Sequence, residues 1–157
     1  MKNTLTSLRL MAAGRLMQYR KYRNFLQEQR INLRAANAPA GRGALHAERP
    51  NAPNMREITQ MRGWVRAIDR VREKLAAESP RRRRFMDRCF CLDASSTAPR
   101  SSRARIIELC MDLHISESTA YKWRENILDL VLFAAIEAGV LTPFAKNAEK
   151  ESSSSKA

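Results

Sequence analysis

The chain has 157 residues, 44% of them hydrophobic, and its 29 Lys and Arg outweigh 16 Asp and Glu to give a net charge of +13. That length and hydrophobic share fit one domain of ordinary size with its own core. An isoelectric point near 10.6 argues for a polyanionic partner. No run approaches the roughly 18 to 20 apolar residues of a membrane span. The start is not a secretory signal, because Arg9 interrupts the apolar stretch 8–13 and basic residues follow it. The expectation is a cytoplasmic protein with no membrane partner.

Residues 3–35 hold no proline and one glycine, Gly14. Leu5, Leu8, Ala12, Leu16, Tyr19, Tyr22 and Leu26 recur at three- and four-residue steps, which predicts one long helix with a possible bend at Gly14. Arg9, Arg15, Arg20, Lys21, Arg23, Arg30 and Arg34 occupy the rest of its surface. Such a basic amphipathic helix suits packing on a core, or docking on nucleic acid, RNA polymerase, a partner helix or a membrane surface. Residues 36–54 read as a linker, with Pro39, Gly41, Gly43, Pro50 and Pro53 and few apolar residues. His46 stands alone there and reads as a solvated loop histidine.

Asn54 and Glu57 have the spacing of a capping box, so a second helix starts at Met55. Its stripe of Met55, Ile58, Met61, Trp64, Val65, Ile68, Val71 and Leu75 runs to about Ala77. Ser79 and Pro80 then suit the N-cap and first turn of a third helix. Arg81, Arg82, Arg83 and Arg84 follow at once. Cations at a helix N-terminus oppose its dipole by up to about 1 kcal/mol each. Local helix stability therefore does not explain them, and a phosphate site or a solvated basic surface does. Phe85, Met86, Cys89, Phe90 and Leu92 supply the buried side of this helix, and 94–102 reads as a polar loop.

Residues 109–125, LCMDLHISESTAYKWRE, carry the spacing of a helix-turn-helix. Leu109, Cys110 and Leu113 form one face of a short helix, 112–115 the turn, and Ser116 an N-cap for the next helix. Ala120, Trp123 and Ile127 face inward, and Glu117, Ser118, Tyr121, Lys122 and Glu125 face outward. A helix presented this way enters a major groove by its N-terminal end. Ser116, Glu117, Ser118, Thr119, Tyr121 and Lys122 are then the base-reading candidates. Two core helices joined by a tight turn are the bland alternative. Beyond the motif the helix runs toward Ala138 and stops at Gly139. Ile127, Leu128, Leu130, Val131, Leu132, Phe133 and Ile136 point to all its sides, so either the N-terminal helix or a second chain must cover it. A homodimer is one such solution. Residues 145–157 read as a disordered tail.

The charge is unevenly spread. Residues 101–157 hold 7 basic and 8 acidic residues, whereas 1–54 hold 10 and 2. Phosphate affinity must therefore come from Arg81, Arg82, Arg83 and Arg84, from Arg103, Arg105 and Arg124, or from the N-terminal helix. Cys89, Cys91, Cys110 and His114 invite a zinc reading. Two cysteines two apart diverge by about 200° on a helix, and His114 falls in the turn. Buried thiols are the better account, with no metal and no cofactor. His46 and His114 are the only histidines, neither sits in a recognisable acid–base or nucleophile arrangement, and no Gly-rich phosphate loop occurs. No catalytic residue and no enzyme is expected.

The order SPRRRRFMDRCFCLD, a loop, then RARIIELCMDLHISESTAYKWRENIL is similar to the region-4-like helix-turn-helix of sigma factors. More closely, over about residues 55–141, it resembles the phage and prophage transcriptional regulators of the RinA and ArpU type. The resemblance implies an all-α fold and control of phage genes, with residues 116–122 and Arg124 on the recognition helix. His114 stands where such turns often carry glycine, and the loop 93–102 is longer than in sigma factors. The units are thus a long basic helix (1–35), a linker (36–54), a DNA-binding domain (55–144, motif at about 103–126) and a tail. The leading expectation is a sequence-specific regulator that binds double-stranded DNA. The alternatives are a phage small terminase subunit and a basic helical adaptor without base readout.

Overall fold

The computed structural model describes residues 2–36, 54–93 and 101–142. Most of the expected linker, His46, most of the loop 94–102 and the expected tail lie outside the described residues. Those described form five helices, α1 (Lys2–Ala36), α2 (Met55–Glu78), α3 (Pro80–Cys89), α4 (Ser102–Leu113) and α5 (Glu117–Glu137), with no strand among them. The chain is all-α. None of these helices is long and apolar enough to cross a membrane.

The helix starts are set locally. The Asn54 side chain accepts from the Glu57 N–H at 2.9 Å, and Glu57 reaches back to the Asn54 N–H at 3.2 Å. Both halves of the expected capping box are therefore made. Pro80 opens α3 as expected, but the Ser79 hydroxyl makes no cap bond. The backbone of Ser79 is shared instead, its N–H closing α2 on the Leu75 carbonyl and its carbonyl accepting from Arg83. Ser101, read as loop, caps α4 by accepting from the Ala104 N–H at 3.2 Å.

Three helix ends share one solution. After α3, α4 and α5 a single residue turns left-handed: Cys91 (φ 54°), His114 (φ 50°) and Gly139 (φ 74°). In each case the next residue donates to a carbonyl five positions back, as from Leu92 to Asp87, Ile115 to Cys110 and Val140 to Ala135. That is the Schellman arrangement. Only Gly139 enters it free of Cβ strain. His114→Gly should therefore gain about 0.5 to 1 kcal/mol, the relieved left-handed cost less the extra unfolded-state entropy of glycine. Chemical denaturation would show it, and a loss would mean that the imidazole holds the turn.

The core is continuous across all five helices. Leu16 and Tyr19 of α1, Ile68 and Leu75 of α2, Phe85 and Met86 of α3, Leu109 of α4 and Ile127 and Val131 of α5 lie in one buried cluster. Residues 1–35 and 55–144 read as separate units in the sequence, but α1 packs on both α2 and α5. Each fully buried aliphatic side chain contributes about 1.5 to 3 kcal/mol, so α1 belongs to the domain. It runs helical through Gly14. Helix α5 touches all four other helices, which accounts for its apolar residues on every side. Phe133 and Ile136 remain exposed. The outer ends of two stripes, Leu5 and Met55, also fall outside the core.

Charged pairs fasten the same contacts. Arg9 grips Asp129 with two bonds, Nε to Oδ1 at 2.8 Å and a terminal nitrogen to Oδ2 at 2.7 Å. That hydrogen bond first, and the charge behind it, raises the Arg9 pKa. At the centre Arg72, with 10% of its side chain exposed, meets Asp87 at 2.8 Å and Asp93 at 3.0 Å. Arg83 takes the other Asp87 oxygen at 2.6 Å. Arg72 also donates to the Tyr19 hydroxyl at 3.0 Å, and that hydroxyl donates to Asp69. Burial disfavours charge on Arg72, but the hydrogen bond and charge of Asp87 outweigh it, so its pKa is raised. Burial, then the bond to Asp69, pushes the Tyr19 phenol up.

Gly63 marks a close crossing. A Cβ there would lie 2.0 Å from Cγ1 and 3.3 Å from Cβ of Val140. In an open helix Ala gains about 1 kcal/mol over Gly, but overpacking costs about 1 to 3 kcal/mol. Gly63→Ala is expected to be net destabilising, and to become neutral or stabilising in a Val140→Ala background. Thermal melts of the three variants check both signs.

Candidate nucleic-acid interface

Helices α4 and α5 are joined by three residues, His114, Ile115 and Ser116. The turn was expected at 112–115. Asp112 and Leu113 remain helical, because the left-handed His114 lets α4 complete its last turn before the chain reverses. Ile115 is half-buried beneath the corner, packed on the core with Trp123. Trp123 meets Phe85 of α3 edge-on, with ring centroids 5.7 Å apart. That geometry is a preferred aromatic packing, and it ties the first half of α5 to α3.

The N-terminal end of α5 is built from hydroxyls. Ser116 accepts from the Thr119 N–H at 3.2 Å, as an N-cap does, and its oxygen lies 2.9 Å from Thr119 Oγ1 and 3.3 Å from Ser118 Oγ. Glu117, Ser118, Tyr121, Lys122 and Glu125 are exposed, as expected, while Thr119 is half-buried and Ala120 buried. The exposed five recur at one- and three-residue steps, which places them on one helix face. Ser116 is exposed but already committed as the cap.

The arginines expected on phosphate divide into two groups. Arg81 donates to the Leu113 carbonyl at the α4–α5 corner, and Arg82 donates to the Asn126 side chain near the middle of α5. Arg83 turns inward to Asp87 and to the Arg72 carbonyl at 3.0 Å. Arg105 donates to Cys91 Sγ at 3.0 Å, and Arg124 lies over the Phe90 ring at 5.8 Å. These five are tied into the fold. Arg84 and Arg103 are exposed, with no hydrogen bond or ion pair among the described residues. On α3, Arg81, Arg84 and Arg88 share a face. Arg81 meets Leu113, and Arg88 meets Asp112 at 2.6 Å, so Arg84 sits between them beside the end of α4. The unfavourable cations at the start of α3 thus acquire a structural reason: two of them bind groups on α4 and α5.

Comparison with family models, curated proteins and solved structures returned no match.

The other candidates resolve plainly. Cys89, Cys91 and Cys110 are all free thiols. Burial pushes Cys89 up to about 11, against the pull of Arg124 and Arg105. Burial and then the Glu117 charge raise Cys110. Among the described residues no three His, Cys, Asp or Glu side chains group as a metal site. One further charged feature joins the basic face expected of α1 to a second row of arginines on α2. Arg62, Arg66 and Arg70 recur at four-residue steps on α2, and Arg23, Arg30 and Arg34 follow one side of α1; all six line one cleft. Their spacing was the available signal.

Proposed function

We propose that this chain is a sequence-specific double-stranded DNA-binding protein that acts as a transcription regulator. In this reading α4 and α5 are a helix-turn-helix, and α5 enters the major groove by its N-terminal end. The observation that carries it is the exposed polar face of Glu117, Ser118, Tyr121 and Lys122 at that end. It is held on a corner fixed by Trp123, Phe85 and Arg81. A reading helix needs such rigid support, because base contacts discriminate only when side chains are held in place. Ser118 and Lys122 offer hydrogen bonds to base edges, and Glu117 can accept from a cytosine amino group. Of the seven arginines expected on phosphate, Arg84 and Arg103 are the two without a partner among the described residues. The resemblance to RinA- and ArpU-type proteins extends the proposal to phage or prophage genes, with action as a homodimer or beside RNA polymerase.

Selection from fragmented genomic DNA at roughly physiological salt, where non-specific phosphate binding is weakened, tests the reading. One short enriched site supports a regulator. Uniform recovery removes base readout and leaves packaging or adaptor roles. Ser118→Ala or Lys122→Ala should each alter site preference by about 1 to 3 kcal/mol. An unchanged preference would reject α5 as the reading helix.

A further inference from the structure

One charged cleft lies away from the N-terminal end of α5. The second half of α1 and the middle of α2 form a cleft of about 960 Å³, lined by six arginines against Asp69 and Glu73. Two of the six are engaged: Arg23 donates to the Tyr19 hydroxyl at 3.2 Å, and Arg70 pairs with Glu137 at 2.9 Å. Arg30, Arg34, Arg62 and Arg66 are exposed and have no ion-pair partner among the described residues. Asp69 already accepts from Tyr19. The cleft is therefore a concentration of uncompensated positive charge.

Its floor is apolar. Leu26 and Val65 are half-buried between the arginines, and Ile31 stays 57% exposed. The Arg70–Glu137 pair puts this cleft against the C-terminal end of α5. Glu137 lies about 22 Å along the helix axis from Lys122, so the cleft is distinct from the reading face.

We propose that this cleft docks an acidic amphipathic segment of a partner protein. Arginine suits carboxylates because its planar fork binds them in pairs. The arginines recur at four-residue steps, Arg30 with Arg34 and Arg62 with Arg66, which matches carboxylates spaced along a helical or extended acidic face. Leu26, Ile31 and Val65 then receive the apolar residues of the same segment. Nucleic acid matches less well: a phosphate backbone has no apolar face for Ile31, and no aromatic ring lines the cleft on which bases could stack. This inference does not depend on the DNA-reading proposal.

The test uses the full chain and fluorescence anisotropy at roughly physiological salt. Three probes are compared: a peptide with Asp and Glu on one helical face and Leu and Ile on the other, polyglutamate of equal charge, and a short DNA duplex. The amphipathic peptide should bind more tightly than polyglutamate. The variant carrying glutamine at positions 30, 34, 62 and 66 should weaken it roughly tenfold or more. Ile31→Gln should weaken the amphipathic peptide and leave polyglutamate unchanged. All five positions are exposed, so both variants should keep the wild-type melting temperature. Lys122→Ala should leave peptide binding intact. Failure of the amphipathic peptide to bind, equal affinity for the two peptides, or an Ile31→Gln variant without effect would overturn the proposal. So would a quadruple variant that loses duplex binding as strongly as peptide binding, which would assign the cleft to nucleic-acid phosphate.

Discussion

Asp87→Ala should cost about 3 to 5 kcal/mol of folding stability, because it leaves a buried guanidinium without its main partner. For a chain of this size the melting temperature should fall by roughly 10 °C. Asp87 has 9% of its side chain exposed and divides its two oxygens between Arg72 and Arg83. After its removal Arg72 keeps the half-exposed Asp93 and the Tyr19 hydroxyl. Those do not replace a buried carboxylate. The double variant Arg72→Met with Asp87→Leu removes both charges and should recover most of the loss, since a buried ion pair is worth little more than good apolar packing. Denaturant titrations of the single and double variants decide it. A loss below about 1 kcal/mol in the single variant would mean that water reaches Arg72 freely.

Leu16→Ala should cost about 2 to 5 kcal/mol, the range for truncating a buried leucine. Leu16 is fully buried within the cluster shared by all five helices. The unfolding transition should remain single, because α1 contributes to the same core as α5. A smaller loss, or an early separate transition for α1, would make α1 a detachable arm. Arg9→Ala gives a milder companion, since the Arg9–Asp129 pair is only half-buried.

Much of this fold is local in origin and legible for that reason. The capping box at Asn54, proline at the start of α3 and the left-handed Gly139 each involve residues within a few positions of one another. The stripe from Trp64 to Leu75 announces its buried face by period alone. What stayed hidden depends on partners distant in the chain. Asp129 interrupts an apolar run with no partner near it in the sequence, because its partner is Arg9, 120 positions away. Asp87 and Arg72 have surface composition and core burial. Composition sees the charge of 81–84, but only the packing of α3 on α4 shows that Arg81 is spent on a carbonyl. The left-handed His114 was equally hidden, since histidine carries no glycine-like signal. At the start of α5 the outward residues were legible, and so was the role of Ser116 as a cap.

The pairing of the first helix with the last has a consequence for how the chain is made. The carboxylate that Arg9 grips follows it by 120 residues. A ribosome adding about 5 to 20 residues per second needs about 6 to 24 seconds to deliver it. Through that interval the newly made α1 lacks the α5 surface on which it packs. Until α5 emerges the apolar flank of α1 is therefore incompletely covered, and that is when chaperone binding should be greatest.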